Sequence, residues 1–168
     1  MVVGNCGVSL SPWVSDRTPP PPLDLVFPGD VDSARFPSYG AYAAELERRP
    51  ASINALPLIG HSTLRCAALD RLDRPATDAE IGTMRTLLRE SLAAGAGGFS
   101  TGLFYPPNKA APATEVEALA KELPAFRGIY ATHMRNEGDQ LFESLDETFE
   151  PARRAGCTVV ISHHKCQS

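Results

Sequence analysis

The sequence has 168 residues, of which 43% are hydrophobic, and carries a formal net charge of -4 from 16 basic and 20 acidic residues. This length is sufficient for one domain with a sizeable core. No basic run stands out, so we expect no nucleic-acid partner. No apolar stretch approaches the roughly 20 residues that cross a membrane, and none is flanked like a signal peptide. We therefore expect no membrane association and a cytoplasmic location.

Short apolar runs alternate along the chain with segments of helical spacing. The apolar runs are short and continuous, as in strands buried on both faces of a parallel sheet. They predict strands over residues 2–5, 53–60, 98–104, 129–132 and 158–162. Helices are predicted over residues 39–48, 77–94, 114–126 and 137–155. This order indicates an α/β protein, and right-handed crossovers make it a doubly wound sheet or part of a (β/α)8 barrel.

The proline-rich stretch 11–37, which has four consecutive prolines at 19–22, cannot form a helix or a central strand. We expect it to be a long loop insertion over the mouth formed by the carboxyl ends of the strands. The sequence begins with a predicted strand already under way at Val2, and it stops just after the predicted strand at 158–162, with no closing helix. We therefore expect residues 1–168 to be one incomplete unit of a larger fold.

Three candidate metal ligands directly follow predicted strands: Cys6, His133 and His163. In parallel α/β folds, functional sites are built at the carboxyl ends of the strands. Thiolate and imidazole ligands suit zinc, and three protein ligands with an open fourth position are typical of a catalytic site. A buried cysteine or a hydrogen-bonded histidine is the plainer interpretation of each residue taken alone.

Other polar residues have similar positions. His61 also follows a predicted strand and has Arg65 nearby, but nothing pairs it with the other three. Lys165 has the strand parity of His163, which would direct its ammonium group at a substrate carboxylate, unless it is simply solvated. Tyr105 follows the strand at 98–104, where its phenol could contact a substrate or simply pack.

Four motifs in chain order resemble those of the N-acyl-D-amino-acid deacylase (D-aminoacylase) family of the amidohydrolase superfamily. They span nearly the whole chain and read VVGNCG at 2–7, STGLFYPP at 100–107, YATHMRNEG at 130–138 and VVISHHK at 159–165. The resemblance implies a zinc-dependent (β/α)8 TIM barrel that hydrolyses the amide of an N-acyl-D-amino acid to a carboxylate and a D-amino acid. The visible strands would then be strands two to six of that barrel.

The resemblance also implies roles for individual residues. Cys6, His133 and His163 would bind Zn²⁺, and Tyr105 and Lys165 would contact the small-molecule substrate. Two features of the family are absent from the sequence: a His-x-His pair on the first strand and an aspartate on the eighth that acts as general acid and base. We therefore expect no catalytic acid or base among these residues and little turnover by the chain alone.

Two alternatives stay open at this point. The chain is a non-enzymatic truncated remnant, or it comes from a related amidohydrolase acting on cyclic amides. The second class usually carries a carboxylated lysine on the fourth strand, and residues 98–104 contain no lysine. The sequence does not indicate an oligomeric state.

Overall fold

A computed structural model describes residues 1–27 and 35–165, so positions 28–34 of the proline-rich stretch and Cys166 lie outside the described part. Within it, short parallel strands alternate with helices. The strands are β1 (Val2–Val3), β2 (Leu56–Pro57), β3 (Ile59–Gly60), β4 (Gly98–Gly102), β5 (Ile129–His133) and β6 (Thr158–Ile161). The α-helices are α1 (Tyr39–Arg48), α2 (His61–Ala68), α3 (Asp78–Ala93), α4 (Pro106–Lys109), α5 (Ala113–Ala120) and α6 (Leu141–Ala155).

All strand pairs in the described residues are parallel. β1 pairs with β2, and a second sheet has the order β3-β4-β5-β6. Parallel pairing requires a long crossover between strands, and helices α3 and α6 supply two of these crossovers. The protein is therefore a mixed α/β fold, as the alternation of the sequence predicts, and the carboxyl ends of its strands lie at one edge.

The main core lies between the β3–β6 sheet and helices α2, α3, α5 and α6. Its fully buried side chains include Ile59 and Phe99 from the strands and Met84, Leu88 and Leu119 from the helices. The proline-rich stretch contributes a second small core. Trp13, Leu23 and Phe27 pack there with Val8 and Cys66, and residues Leu23–Val26 form a 3-10 helix.

Several element boundaries differ from the sequence prediction for local reasons. The strand predicted over 53–60 is two short strands, because Leu56–Pro57 pairs with β1 and Ile59–Gly60 with β4. The helix predicted over 114–126 stops at Ala120, and Pro124–Phe126 form a 3-10 helix. The helix predicted from residue 137 begins at Leu141, because the Asn136 side chain accepts hydrogen bonds from the backbone of Gly138 and Gln140 in a turn.

Helix α2 was not predicted from the sequence. It begins at His61, directly after β3, and all six residues from His61 to Cys66 are buried. The helix has only eight residues, and four of its six buried residues are polar, so no run of apolar residues at helical spacing identifies it in the sequence. Among the described helices, none is both long enough and apolar enough to cross a membrane.

Candidate metal centre

Cys6, His133 and His163 meet at the carboxyl edge of the strands. One ligand atom from each, the thiol sulfur or a ring nitrogen, lies within 4.8 Å of the others. The Cys6 Sγ to His163 Nε2 distance is 3.7 Å. The imidazole rings of His133 and His163 have centroids 4.4 Å apart and meet edge to face. Residues separated by as many as 157 positions therefore converge on one point, as the sequence predicts.

Cys6 lies in a tight turn after β1 with a backbone conformation that favours glycine. Its φ is 56°, and the flanking Gly4 and Gly7 also have positive φ. Ser100 of β4 fixes this turn, because its Oγ accepts a hydrogen bond from Gly7 N at 3.0 Å and donates one to Gly4 O. A non-glycine residue in the left-handed region costs free energy, and such residues concentrate at functional sites.

The turn that carries Cys6 packs directly against two glycines of neighbouring strands. A Cβ added at Gly102 would lie 2.3 Å from the carbonyl oxygen of Cys6, and one added at Gly60 would lie 2.4 Å from that of Gly7. Real Cβ atoms do not approach so closely, so only glycine leaves room for this turn. Gly102, the last glycine of the run at 95–102, is therefore needed so that the turn carrying Cys6 can pack against β4.

His133 ends β5 and is surrounded by aromatic side chains. The hydroxyl of Tyr105 lies 3.4 Å from His133 Nδ1, and the two rings have centroids 4.9 Å apart. Phe104 stacks on the other side at 5.8 Å and is exposed. Tyr105, predicted to contact substrate, therefore lies at the edge of the histidine cluster.

His163 follows β6 and is held by a carboxylate that sequence reasoning missed. Strand β6 ends at Ile161 and His163 has a φ of 40°, so strand parity does not set its direction. Glu137 Oε1 lies 3.0 Å from His163 Nδ1, and Glu137 Oε2 accepts a hydrogen bond from Lys165 Nζ. Lys165, predicted to bind a substrate carboxylate, is thus placed beside the site with Glu137 as its partner. The acidic residue four positions after His133 was the only sequence signal for this contact.

The local environment shifts the pKa of several of these groups. Burial raises the pKa of the Cys6 thiol, and the negative charge of Glu137 adds to this effect. Burial lowers the pKa of His133, which favours the neutral imidazole that binds metals. Burial and the nearby Cys6 raise the pKa of Tyr105, so its phenol stays a donor. Burial alone would raise the pKa of Glu137, but the hydrogen bond from Lys165 and the nearby His133 hold it below its ordinary value.

The arrangement fits a tetrahedral metal ion with one sulfur and two nitrogen ligands. With Zn–S near 2.3 Å and Zn–N near 2.0 Å, the sulfur and a nitrogen of a tetrahedral site lie about 3.5 Å apart. The distance between Cys6 Sγ and His163 Nε2 is 3.7 Å. The carboxylate on Nδ1 of His163 matches the second ligand sphere that orients metal-bound histidines.

An open cavity of about 480 Å³ lies beside these groups. His133, Phe104, Glu137 and Lys165 contribute to its lining, together with Arg135. Arg135 is fixed by two-oxygen contacts with Glu147 and by donation to the carbonyl oxygens of Lys109 and Ala111. The cavity is large enough for a small molecule and combines an aromatic face with charged groups.

His61, the fourth histidine that follows a strand, lies apart from this cluster. It is fully buried, and its Nε2 is 2.9 Å from Glu115 Oε1. Arg65 donates to the same oxygen at 2.5 Å and to the carbonyl oxygen of Pro107. Burial lowers the pKa of His61. This cluster ties helix α2 to α5 through Glu115 and to α4 through Pro107, and His61 is not in the group formed by the candidate ligands.

The comparisons with known proteins agree on one family. D-aminoacylase of Alcaligenes xylosoxydans xylosoxydans is 48% identical over 165 residues, which are 98% of this chain and 34% of that protein. The crystal structure of a D-aminoacylase, described as defining a novel subset of amidohydrolases, aligns with a TM-score of 0.94 at 44% identity over 99% of this chain and 35% of that one. No protein-family model matches the chain.

Metals are named for these solved relatives. One D-aminoacylase structure concerns the role of its binuclear metal center. The N-acyl-D-glutamate deacylase of Bordetella bronchiseptica, complexed with zinc and a phosphonate inhibitor, aligns with a TM-score of 0.87 at 39% identity, over 98% of this chain and 34% of that one. Both relatives are metal-containing proteins.

In sequence and in fold, the chain is similar to D-aminoacylase, whose structure defines a subset of the amidohydrolases. The resemblance to the N-acyl-D-amino-acid deacylases is confirmed, because the chain is homologous over nearly all of its length to D-aminoacylase. These homologues are hydrolases that act on amide bonds. The chain spans about one third of the length of the proteins it matches.

Proposed function

We propose that this chain is the metal-binding part of a zinc-dependent hydrolase that cleaves the amide bond of N-acyl-D-amino acids. The observation that carries the proposal is the convergence of Cys6, His133 and His163 within 4.8 Å at the carboxyl edge of the strands. Zn²⁺ suits this donor set of one thiolate and two imidazoles better than Mg²⁺ or Ca²⁺, which prefer oxygen ligands. A bound zinc ion would supply Lewis-acid polarisation of the scissile carbonyl and a water of lowered pKa.

The chain's own residues bind and orient the substrate in this proposal. Lys165 carries a positive charge beside the cavity and would pair with the substrate carboxylate, exchanging part of its contact with Glu137. The phenol of Tyr105 would donate a hydrogen bond to the same substrate. Tyr105 contacts His133 and Lys165 contacts His163, so the two groups together would hold the amide of the substrate near the ligands and select its configuration.

The finer fold proposed is a partial (β/α)8 barrel. Its strands two to six would be β1, then β2 and β3 together, and then β4, β5 and β6. The parallel order β3-β4-β5-β6 and the position of the site at the carboxyl ends support this assignment. Val2, Leu56 and Val160 lie on strands yet are 43 to 45% exposed. A closed barrel would cover these side chains.

We further propose that a polypeptide of only these 168 residues hydrolyses substrate slowly or not at all. The sequence contains no His-x-His pair. Among residues 1–27 and 35–165, the carboxylate that contacts a candidate ligand is that of Glu137, and it is occupied by His163 and Lys165. A general acid and base for the water and the leaving amine would come from elsewhere in the complete enzyme. Release of D-methionine from its N-acetyl derivative by the purified chain, well above a metal-free control, would overturn this part.

Metal analysis of the purified chain tests the proposed site. The wild-type chain, loaded with zinc and dialysed, is expected to retain about one zinc per chain, as a site with three protein ligands does. Cys6→Ala and His163→Ala should lose that zinc. Cys157→Ala and His164→Ala are matched controls that change the same residue types outside the cluster, and they should keep it. Undiminished zinc in Cys6→Ala would refute the ligand assignment.

A further inference from the structure

We infer that Glu137 is a positioning residue that decides which ring nitrogen of His163 faces the metal position, and that it does so against the competing influence of Lys165. The inference rests on the proposed metal site and deepens it. It assigns a role to a carboxylate that neither the ligand set nor the predicted substrate contacts include. The role follows from the two contacts at His163 Nδ1 and from the hydrogen bond between the two residues that make them.

Two neighbours of opposite hydrogen-bonding character reach His163 Nδ1. Glu137 Oε1 lies 3.0 Å from it and Lys165 Nζ lies 3.3 Å from it. An ionised carboxylate only accepts hydrogen bonds, whereas an ammonium group only donates them. A neutral imidazole carries one proton, so Nδ1 cannot satisfy both neighbours at once.

The two neighbours therefore favour opposite tautomers of His163. With Glu137 as partner, Nδ1 carries the proton and the Nε2 lone pair points toward Cys6 Sγ, 3.7 Å away. With Lys165 as partner, Nδ1 becomes the acceptor and Nε2 carries the proton. Only the first arrangement offers Nε2 as a ligand, since metal binding needs the lone pair.

Two features of the structure favour the tautomer of His163 that is protonated at Nδ1, in which Glu137 is the hydrogen-bond partner. Its Oε1 is the closer neighbour of Nδ1, and its Oε2 takes a hydrogen bond from Lys165 Nζ, which draws the ammonium group away from the ring. The Glu137 side chain is only 7% exposed, compared with 43% for Lys165. The loop before it is fixed by Ser144, whose Oγ accepts from Asn136 N at 3.0 Å. Glu137 is thus the buried and fixed partner of His163, and Lys165 is the exposed one.

The tautomer itself can be measured without any metal. Long-range ¹H–¹⁵N correlation spectra of the metal-free, ¹⁵N-labelled chain, at a pH where the imidazoles are neutral, distinguish a protonated from an unprotonated ring nitrogen. We expect the Nδ1-protonated form of His163 in the wild type and the Nε2-protonated form in Glu137→Ala. An unchanged tautomer in Glu137→Ala would overturn the inference, and this result does not depend on whether the site binds zinc.

Cobalt titration then links the tautomer to the metal site. Co²⁺ in a site with a cysteine ligand gives a sulfur-to-metal charge-transfer band, whose growth reports affinity. Loss of a carboxylate that orients a metal-bound histidine lowers metal affinity about 10- to 100-fold, and we expect this loss in Glu137→Ala. Glu122→Ala is the matched control, since Glu122 is similarly buried and pairs with Arg85 and Arg89 of α3. Its Co²⁺ affinity should equal that of the wild type.

The decisive comparison is a double-mutant cycle with Lys165→Met. In the Glu137→Ala background, removing the lysine should restore most of the lost affinity, because nothing then favours the wrong tautomer. In the wild-type background, the same substitution should change little, because Glu137 already holds the proton on Nδ1. If Lys165→Met raises affinity equally in both backgrounds, the effect is simple charge repulsion and the inference fails. If even the wild type shows no charge-transfer band, the proposed metal site is wrong. The role of Glu137 in the tautomer of His163 is then still decided by the ¹H–¹⁵N spectra alone.

Discussion

Two histidine–glutamate pairs in this protein have almost the same distance between ring nitrogen and carboxylate oxygen but opposite surroundings. His61 and Glu115 lie 2.9 Å apart, and His163 and Glu137 lie 3.0 Å apart. The first pair has no exposed side-chain surface and shares its carboxylate with Arg65. The second lies at the strand edge, with 40% of the His163 side chain exposed and the ring directed at Cys6.

The difference shows what makes a histidine at a strand end a candidate ligand. The buried His61 ring has its Nε2 on a carboxylate, and its Nδ1 faces no partner. In the described part of the chain, His61 belongs to no group of potential metal ligands, and its side chain has no exposed surface. The His163 ring has a carboxylate on one nitrogen and a thiol and a second histidine near the other. A histidine–glutamate pair therefore connects two helices in the case of His61 and Glu115, whereas it orients a candidate metal ligand in the case of His163 and Glu137.

The largest expected effect comes from opening the buried cluster with Arg65→Met. Arg65 is fully buried and donates to Glu115 and to three carbonyl oxygens. Removing one partner of a buried ion pair leaves an uncompensated charge, so the free energy of unfolding should fall by about 3 to 5 kcal/mol in urea denaturation. Arg89→Met, at a half-exposed ion pair with Glu122, should cost less than about 1 kcal/mol. Equal losses in the two variants would mean that the buried cluster has no special structural role.

Acidification should also act on the buried pair. The pKa of Glu115 is lowered to about 2, because the hydrogen bonds and charges of His61 and Arg65 outweigh the effect of burial. A carboxyl group whose pKa is lower in the folded state stabilises the fold at a pH above its unfolded pKa, and this contribution is lost as the pH falls toward the folded value. We therefore expect unfolding free energy to fall by roughly 2 kcal/mol between about pH 4.5 and pH 2, as measured by denaturant titration at a series of pH values. In Glu115→Gln the fall over this range should be clearly smaller, and an identical fall would assign it to other carboxyl groups.

A smaller change in the strands should affect the metal site more than the buried cluster. Gly102→Ala would place a Cβ 2.3 Å from Cys6 O, so the turn that carries the thiol must move. We expect a loss of about 1 to 3 kcal/mol in unfolding free energy from overpacking, and a loss of bound zinc in the metal analysis. Gly82→Ala is the matched control, since a Cβ there meets nothing within 4 Å. In helix α3 that substitution should stabilise the chain by about 0.5 to 1 kcal/mol, and retained zinc in Gly102→Ala would contradict the role of the glycine.

The sequence predicts the alternation of strands and helices because apolar periodicity and the Thr77–Glu80 capping box are local signals. That capping box is present, with Thr77 Oγ1 accepting from Glu80 N. It also predicts that Cys6, His133 and His163 share one edge, because parallel strands end together. The contact with Glu137 could not be predicted, since a loop after β5 brings it to a residue 26 positions away. The pairing of His61 with Glu115 spans 54 positions for the same reason. Burial and side-chain direction in loops depend on the whole fold, which a single sequence does not display.

X-ray absorption spectroscopy at the zinc edge of the loaded 168-residue chain counts the atoms bound to the metal and identifies their elements. We expect one sulfur at about 2.3 Å and two imidazole nitrogens at about 2.0 to 2.1 Å. The sulfur contribution should vanish in Cys6→Ser and persist in Cys66→Ser, which changes a buried cysteine outside the cluster. A wild-type spectrum without sulfur, or one unchanged in Cys6→Ser, would contradict the assignment of Cys6 as a zinc ligand.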